Sequence, residues 1–292
     1  MNTRKPAVAG QFYPEQHESC EAQLDSFIDQ MPPMDELPEN IVAGLVPHAG
    51  WTFSGQLAAM TFYAIQQSRE KVHTFIIFGA VHTFVSAPIA VYNKGSWITP
   101  TGSVAIDEEL ADRIIQKNSA AQADAHAHSS EHSIEVQIPF IEYLFPGSRI
   151  VPIMVAPVHQ AVRLGSDIGD IIAAEKSKTI ICIGSTDLTH YGPRYGFTPA
   201  GSGPEGLKWA TEVNDKEFIK LAVEMKPEEL LQTAAKNGSA CGPGTAAATV
   251  AAAAKLGKTR GFLLAHTNSN EIMRTKFSRP GQESVGYASI VF

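Results

Sequence analysis

Three apolar runs of the sequence end in residues that can bind a metal or carry a proton. Pro47-His48 follows Ile41 to Val46, His82 follows Val72 to Gly79, and Asp187 and His190 follow Thr179 to Gly184. Imidazole beside carboxylate suits metal ligation and proton transfer near neutral pH. One histidine after a strand is commonly a loop residue that caps a backbone group, but three runs delivering such groups to one rim point to a site. Cys241 lies in Gly238-Ser239-Ala240-Cys241-Gly242-Pro243, just before a predicted helix. The positive end of that helix would favour thiolate, which suits a metal ligand or a nucleophile; the plain alternative is a small residue that lets a loop pack tightly. Histidine is densest in Ala125 to Gln137, where His126, His128 and His132 accompany Glu131 and Glu135. The four-residue spacing of His128 and His132 would let one helix face grip a metal. A helix beginning at Ser129 or Ser130 leaves His128 outside it. His132 and Glu131 are therefore the expected site residues of this region, with His126 and His128 read as solvated loop. His17, His73 and His159 show no partner and are assigned to surface or core.

The elements that must position these groups follow from hydrophobic patterning. Ile41 to Val46, Val72 to Gly79, Arg149 to Val155 and Thr179 to Gly184 are short apolar runs, rich in β-branched and aromatic residues, and read as buried central strands. Cys20, Leu24, Phe27, Ile28 and Met31 share one face of a helix that Pro32 and Pro33 stop, and residues 31–40 read as a linker. Ser54 is expected to cap a helix carrying Leu57, Ala58, Phe62 and Ile65. Asp107 to Gln116, Gln160 to Ala174, Leu207 to Glu224, Glu228 to Ala235 and Pro243 to Leu256 are further helices, and Arg260 to Thr267 and Ser284 to Phe292 are closing strands. Alternating strands and helices imply an α/β fold, a largely parallel or mixed central sheet with helices on both faces. With no linker of shifted composition and no internal repeat, residues 1–292 read as a single domain. In such sheets ligands gather beyond the carboxyl ends of the strands, which is where His48, His82, Asp187 and His190 fall.

Composition narrows the function. The 292 residues carry 30 acidic against 23 basic side chains, a formal charge of -7, and the longest basic run is Arg4-Lys5, so a phosphate backbone is not an expected partner. A 44% apolar, 18% charged chain is too hydrophobic for a disordered tail. Neither a signal peptide nor an apolar stretch of the roughly 18 residues that a membrane span needs is found, and the expected location is the cytoplasm. Cys20, Cys182 and Cys241 are far apart, which excludes a disulfide framework and an all-cysteine zinc site; the first two read as core. Gly201-Ser202-Gly203-Pro204-Glu205-Gly206 has the letters of a dinucleotide fingerprint, but it follows no strand and contains Pro204, so it reads as a flexible loop. Gly257-Lys258-Thr259 lacks the first glycine of a phosphate loop, since Ala252 holds that position. A Gly-x-Ser-x-Gly elbow is absent.

Five ordered motifs carry a resemblance over nearly the whole chain. They are Arg4-Lys5-Pro6-Ala7-Val8-Ala9-Gly10-Gln11-Phe12-Tyr13-Pro14, Val46-Pro47-His48-Ala49-Gly50-Trp51, Ser130-Glu131-His132-Ser133-Ile134-Glu135-Val136-Gln137, Ser185-Thr186-Asp187-Leu188-Thr189-His190-Tyr191-Gly192, and Val285-Gly286-Tyr287-Ala288-Ser289. By these the chain resembles the Memo family, the AmmeMemoRadiSam system protein B group. That resemblance implies a fold similar to class III extradiol (LigB-like) non-haem iron dioxygenases and a metal-binding cleft. Its metal positions fall on His48, His82 and Cys241, with His132, His190 and Asp187 nearby as catalytic groups. Trp51 stands where the family usually has Tyr, and Gly79-Ala80-Val81-His82 replaces Gly-Pro-Ser-His.

Two imidazoles with one further donor on iron leave positions open for dioxygen and substrate. Asp187 as that donor fits iron oxygenase chemistry; Cys241 favours copper(I) or a redox-active iron, and zinc accepts the same donors. His132 or His190 would move the proton. The expected function is a metal-dependent oxidoreductase, iron or copper, acting on a small molecule in the cleft. The alternatives are a binding or signalling module that takes a peptide or protein there, and a metal-free cysteine enzyme pairing Cys241 with His48 or His190.

Overall fold

A computed structural model describes residues 3–34, 37–83 and 85–292. The chain begins with β1 (Thr3–Arg4) and α1 (His17–Asp29), then runs β2 (Ala43–Val46), α2 (Trp51–Ser68) and β3 (Thr74–Gly79). Short strands β4 (Ile89–Val91), β5 (Ser96–Ile98) and β6 (Ser103–Ala105) lead to α3 (Glu108–Lys117), β7 (Ala121–Ala123) and α4 (Ile138–Leu144). Alternation resumes with β8 (Arg149–Val155), α5 (Gln160–Ala174), β9 (Ile180–Ser185) and β10 (His190–Tyr191). The last third holds α6 (Pro204–Trp209), a π-helical stretch Ala210–Asn214, α7 (Asp215–Val223), α8 (Pro227–Asn237), α9 (Pro243–Lys255), β11 (Phe262–Asn268), α10 (Ser269–Phe277) and β12 (Ser284–Val291).

Nine strands form one mixed sheet in the order β10-β12-β2-β9-β3-β8-β4-β7, with β11 on the other side of β12. Its centre, β2, β9, β3 and β8, is parallel. These strands are buried on both faces, which is why they read as continuous apolar runs rather than alternating ones. Alternation reappears in what they touch: Phe75 and Ile77 of β3 join the core under Phe62, Phe140 and Phe27, while Ile76 and Phe78 join the opposite core with Leu164, Ile168 and Ala248. Helices α1, α2 and α4 thus cover one face and α5 and α9 the other, the α/β layering expected from the sequence. Ser185 pairs with Val46 on one side and Gly79 on the other. The segments leaving β2, β9 and β3 therefore start level with one another on neighbouring strands, about 4.8 Å apart.

The alanine tract has a packing reason. A Cβ added to Gly165 of α5 would lie 2.8 Å from the Cβ of Ala251 in α9, so small residues on both helices let their backbones come close. That contact fixes α9, and with it Cys241 just ahead of its first turn.

Several expectations are corrected. Helix α2 starts at Trp51, so Ser54 is inside it, buried, and donates its hydroxyl back to the Ala49 carbonyl at 2.9 Å rather than capping an end. No helix begins at Ser129 or Ser130; a 3-10 turn spans His126–His128 and another Glu135–Gln137. His126 is exposed as expected, but His128 is fully buried and bonds the Ala90 carbonyl through Nε2 at 3.1 Å. Burial depresses its pKa to about 4, so it is a neutral core histidine rather than a solvated one. His73 has a partner too: its Nδ1 accepts the Thr179 amide at 2.9 Å. Pro204, Glu205 and Gly206 form the first turn of α6 rather than a loop. The two closing strands are separated by α10. Among the described residues no helix is long and apolar enough to cross a membrane.

The N-terminal motif is organised by a buried charge. Arg4 pairs with Glu135 at 2.8 Å, donates to the carbonyls of His128 and Glu131, and stacks 4.2 Å from the Trp97 ring. Glu135 also accepts the amides of Ala7 and Val8 and the Tyr13 hydroxyl. Buried carboxylates need such saturation by donors. This clasp holds the segment that sets Phe12 against the His132 ring, 4.8 Å between centroids. Arg4→Ala leaves Glu135 as an uncompensated buried charge and is expected to destabilise the fold by about 3–5 kcal/mol in urea unfolding. Lys5→Ala, at an exposed neighbour, is expected to leave the midpoint unchanged; equal behaviour of the two variants would refute the clasp.

Candidate metal centre

His48 is buried where β2 ends, and its protonation can be read from its neighbours. The Ser185 hydroxyl donates to the Ser133 carbonyl at 2.6 Å and accepts from Gln137 Nε2 at 3.1 Å. Its single proton is committed, so the 3.3 Å contact to His48 Nδ1 requires the ring to donate there. The lone pair of His48 is then on Nε2, which faces Cys241 Sγ at 3.1 Å. The backbone of His48 is pinned as well, its amide bonding Asp187 Oδ1 at 2.7 Å.

His82 is arranged the same way. Its Nδ1 lies 3.0 Å from Glu131 Oε1, and its amide donates to Glu131 Oε2 at 3.0 Å. Glu131 is buried and accepts a third bond from the Ser133 amide. In the neutral ring, a carboxylate accepting from Nδ1 puts the lone pair of His82 on Nε2, the carboxylate–histidine arrangement typical of metal sites. Gly79 permits this close approach, since a Cβ there would lie 2.8 Å from Ser133 Oγ. His82 and His132 are stacked with centroids 4.8 Å apart, and His48 stands edge-on to both.

Two donor sets emerge, each with its ligand atoms within 4.8 Å of one another: His48, His82 and Cys241, and His82, Glu131 and His132. The first joins two imidazoles whose lone pairs are freed by their outer bonds to a sulfur. Such spans suit bonds of about 2.0–2.3 Å from nitrogen and sulfur to one ion, so the residues fit a metal. Asp187 falls outside both sets. Its Oδ1 takes the amides of His48 and Ala49, and its Oδ2 is 4.0 Å from His190 Nε2. Cys241 reaches the rim through mutual bonds with this loop: its amide donates to the Asp187 carbonyl at 3.2 Å and its sulfur accepts the Asp187 amide at 3.3 Å.

The electrostatics correct one expectation. Burial, and then the charge of Asp187, push the Cys241 thiol up, outweighing the hydrogen bonds that favour thiolate. In the metal-free protein Cys241 is a thiol, positioned to donate to His48 Nε2. Burial lowers His48, His132 and His190, and it raises Asp187. Held below the ordinary imidazole range, His48, His132 and His190 are neutral near pH 7, while at His82 the Glu131 carboxylate overrides burial and raises the pKa.

The residues expected from the sequence, His48, His82, His132, Asp187 and His190, line one cavity of about 920 Å³, and Cys241 lies behind His48. The orienting residues Ser185, Gln137 and Ser133 were not anticipated. Ser185 ends a strand and Gln137 closes the histidine-rich stretch, but neither carries a signal of its own. Glu131, expected as a site residue beside His132, has its Oε1 3.6 Å from His132 Nδ1, and its hydrogen bonds go to Ser133 and to His82, 49 positions away. Trp51, set in place of Tyr, donates Nε1 to the Val136 carbonyl at 3.0 Å and packs on Tyr13 and Phe140.

Comparison with known proteins agrees with these motifs. The profile described as Memo-like protein matches residues 4–291. A MEMO1 family protein of Thermococcus onnurineus is 38% identical, covering 99% of each chain. One of Pyrococcus abyssi is 37% identical over 99% of this chain and 98% of that protein. Among solved structures, an uncharacterized protein from Escherichia coli K12 superposes with a TM-score of 0.52 at 11% identity, over 87% of this chain and all of that one; it shows a shared fold alone.

The His82–Glu131 pair sets a pH dependence. Burial would raise the Glu131 carboxyl, but the His82 ring and the Ser133 and His82 amides outweigh it and hold the pKa at about 2. A carboxyl held below its ordinary 4.5 stabilises the fold above that pH and loses its contribution as pH falls toward 2. An imidazole raised above 6.5 stabilises below that pH and loses its contribution as pH rises through the raised value. In metal-free protein held in chelator, the difference in thermal midpoint between the wild type and Glu131→Gln is expected to be widest between pH 4.5 and 6.5 and to narrow on both sides. A difference that does not vary with pH would rule out the ion pair.

Proposed function

The chain belongs to the Memo-like family, and from that premise we propose that it is a metal-dependent oxidoreductase holding iron or copper through His48, His82 and Cys241. The observation that carries this reading is that His48, His82 and Cys241 each place a ligand atom within one 4.8 Å set, the two rings being held through Nδ1 by Ser185 and Glu131. Bound there, such a metal supplies one-electron chemistry toward dioxygen and a substrate. Thiolate and imidazole together favour copper(I) or a redox-active iron over a hard cation such as magnesium.

The protein's own groups do the rest. Ser185 and Glu131 fix the two ligand rings, so little reorganisation accompanies metal binding. Cys241 gives up its proton on binding, and His48 Nε2, 3.1 Å away, is displaced from its hydrogen bond at the same time. His132, stacked on His82 at the cavity wall, is the neutral base that takes a proton from substrate. His190, its Nε2 4.0 Å from Asp187 Oδ2, is the second proton carrier, set on the cavity wall after the loop that follows β9. A second reading, capture of a peptide without turnover, is favoured by the breadth of the cavity, about 920 Å³, which exceeds what a single small ring fills.

Metal analysis of anaerobically purified protein tests the proposal. The wild type is expected to hold about one iron or copper per chain, with at least about a tenfold loss in His48→Ala and in Cys241→Ala, and to consume dioxygen on addition of reductant only when loaded. Identical, substoichiometric metal in all three proteins would end it. Peptide binding that persists in chelator would instead favour the second reading.

A further inference from the structure

The cavity over the candidate metal centre has a charged mouth that the metal chemistry does not explain. Arg194, in the 3-10 turn Pro193–Tyr195, and Arg279, just beyond α10, both line it. Arg4, Arg113, Arg163 and Arg274 each pair with a carboxylate, whereas among the described residues neither Arg194 nor Arg279 has a carboxylate within 4.0 Å. The two acids on the same walls are engaged elsewhere. Glu283 Oε1 accepts the backbone amide of Arg194 at 3.0 Å, and Asp187 Oδ1 accepts the amides of His48 and Ala49. Two guanidinium groups that have no carboxylate partner among the described residues line one cavity and leave their N–H donors available to an anion.

The rest of the wall is apolar. Phe53, Met273, Val285 and Tyr287 line the same cavity as the two arginines and the imidazoles. At about 920 Å³ the space is near the upper end of the roughly 300–1,000 Å³ typical of small-molecule sites, far more than an inorganic anion fills. No lysine lines it among the described residues. Arginine differs from lysine in offering a rigid planar fork that matches two oxygens of one carboxylate or phosphate.

We infer that the substrate is an organic anion: an apolar body that rests on Phe53 and Met273, with one terminal oxyanion group held by Arg194 and Arg279. This inference rests on the proposed function for the identity of the reacting end, which the apolar body directs toward His48, His82 and His132. The oxyanion is a carboxylate or a phosphate ester, both of which the guanidinium fork accepts.

Titration of three probes into the metal-loaded full chain, followed by calorimetry or NMR, tests it: 3-phenylpropionate, 3-phenylpropyl phosphate and the uncharged 3-phenylpropionamide. At least one anion is expected to bind about tenfold more tightly than the amide, and Arg194→Gln and Arg279→Gln are each expected to weaken that anion about tenfold. Binding of the carboxylate, the phosphate or both identifies the group. Arg149→Gln, at an exposed arginine on the amino-terminal end of β8, is expected to change nothing, which separates local recognition from net charge. Both mouth residues are exposed, and unchanged metal content and circular dichroism in their variants would show that the fold and centre are intact. The inference is overturned if no anion binds up to millimolar concentration, if the amide binds as well as the anions, or if the mouth variants bind like the wild type. Repeating the titration in chelator distinguishes the two proposals, since anion binding that survives in a protein with no metal affinity sinks the oxidoreductase and leaves the anion site standing.

Discussion

One hydroxyl proton governs the centre. Ser185 has a single hydrogen to give, and the Ser133 carbonyl at 2.6 Å takes it. Every other polar neighbour of that oxygen must then donate, so the His48 ring presents its N–H to Ser185 and its lone pair to Cys241. The position of Ser185 is itself dictated by the sheet, where it is in register with the last residues of both β2 and β3. A residue at the hub of three parallel strands thereby selects the tautomer of a histidine that follows one of them. The chemistry of the rim is a consequence of strand register.

Two buried carboxylates, four residues apart, divide the remaining work. Glu131 orients His82, and Glu135 gathers Arg4, the Ala7 and Val8 amides and Tyr13. Each is costly to bury and each is saturated with donors, which makes the intervening Ser133 and Ile134 a rigid bridge between the N-terminal segment and the centre. Arg4 ties the two together, since it pairs with Glu135 and also donates to the Glu131 carbonyl. The ends of the bridge therefore respond to one another: the loop that carries Phe12 and the ring of His82 depend on the same few residues.

Much of this was legible in the sequence, for identifiable reasons. The central strands are buried on both faces, so unbroken apolar runs revealed them, and α5 and β8 were placed to the residue. Parallel strands ending together made His48, His82 and Asp187 neighbours by topology alone. Short strands such as β4 and β7 were missed because three residues carry no periodicity. His128 was misjudged because its burial comes from Tyr92 and Trp97, which are packed around it by distant parts of the chain. The thiol of Cys241 went the other way from expectation because desolvation, which depends on the packed surroundings, outweighs the local helix terminus. Propensity and spacing report on neighbours in sequence; tautomers and desolvation report on neighbours in space.

The close contact of α5 with α9 gives the centre an unusual mechanical character. Its nitrogen donors are rooted in strands of the sheet, while its sulfur is carried at the head of a helix that lies on one face of that sheet, seated by Gly165 against Ala251. The gap between sulfur and imidazole is accordingly a gauge of how tightly two layers of the molecule are pressed together. Bulk added far from the cleft, at the seam between the helices, would reach the ligands as a change in their spacing, so the affinity of the centre is open to adjustment by residues that never touch it.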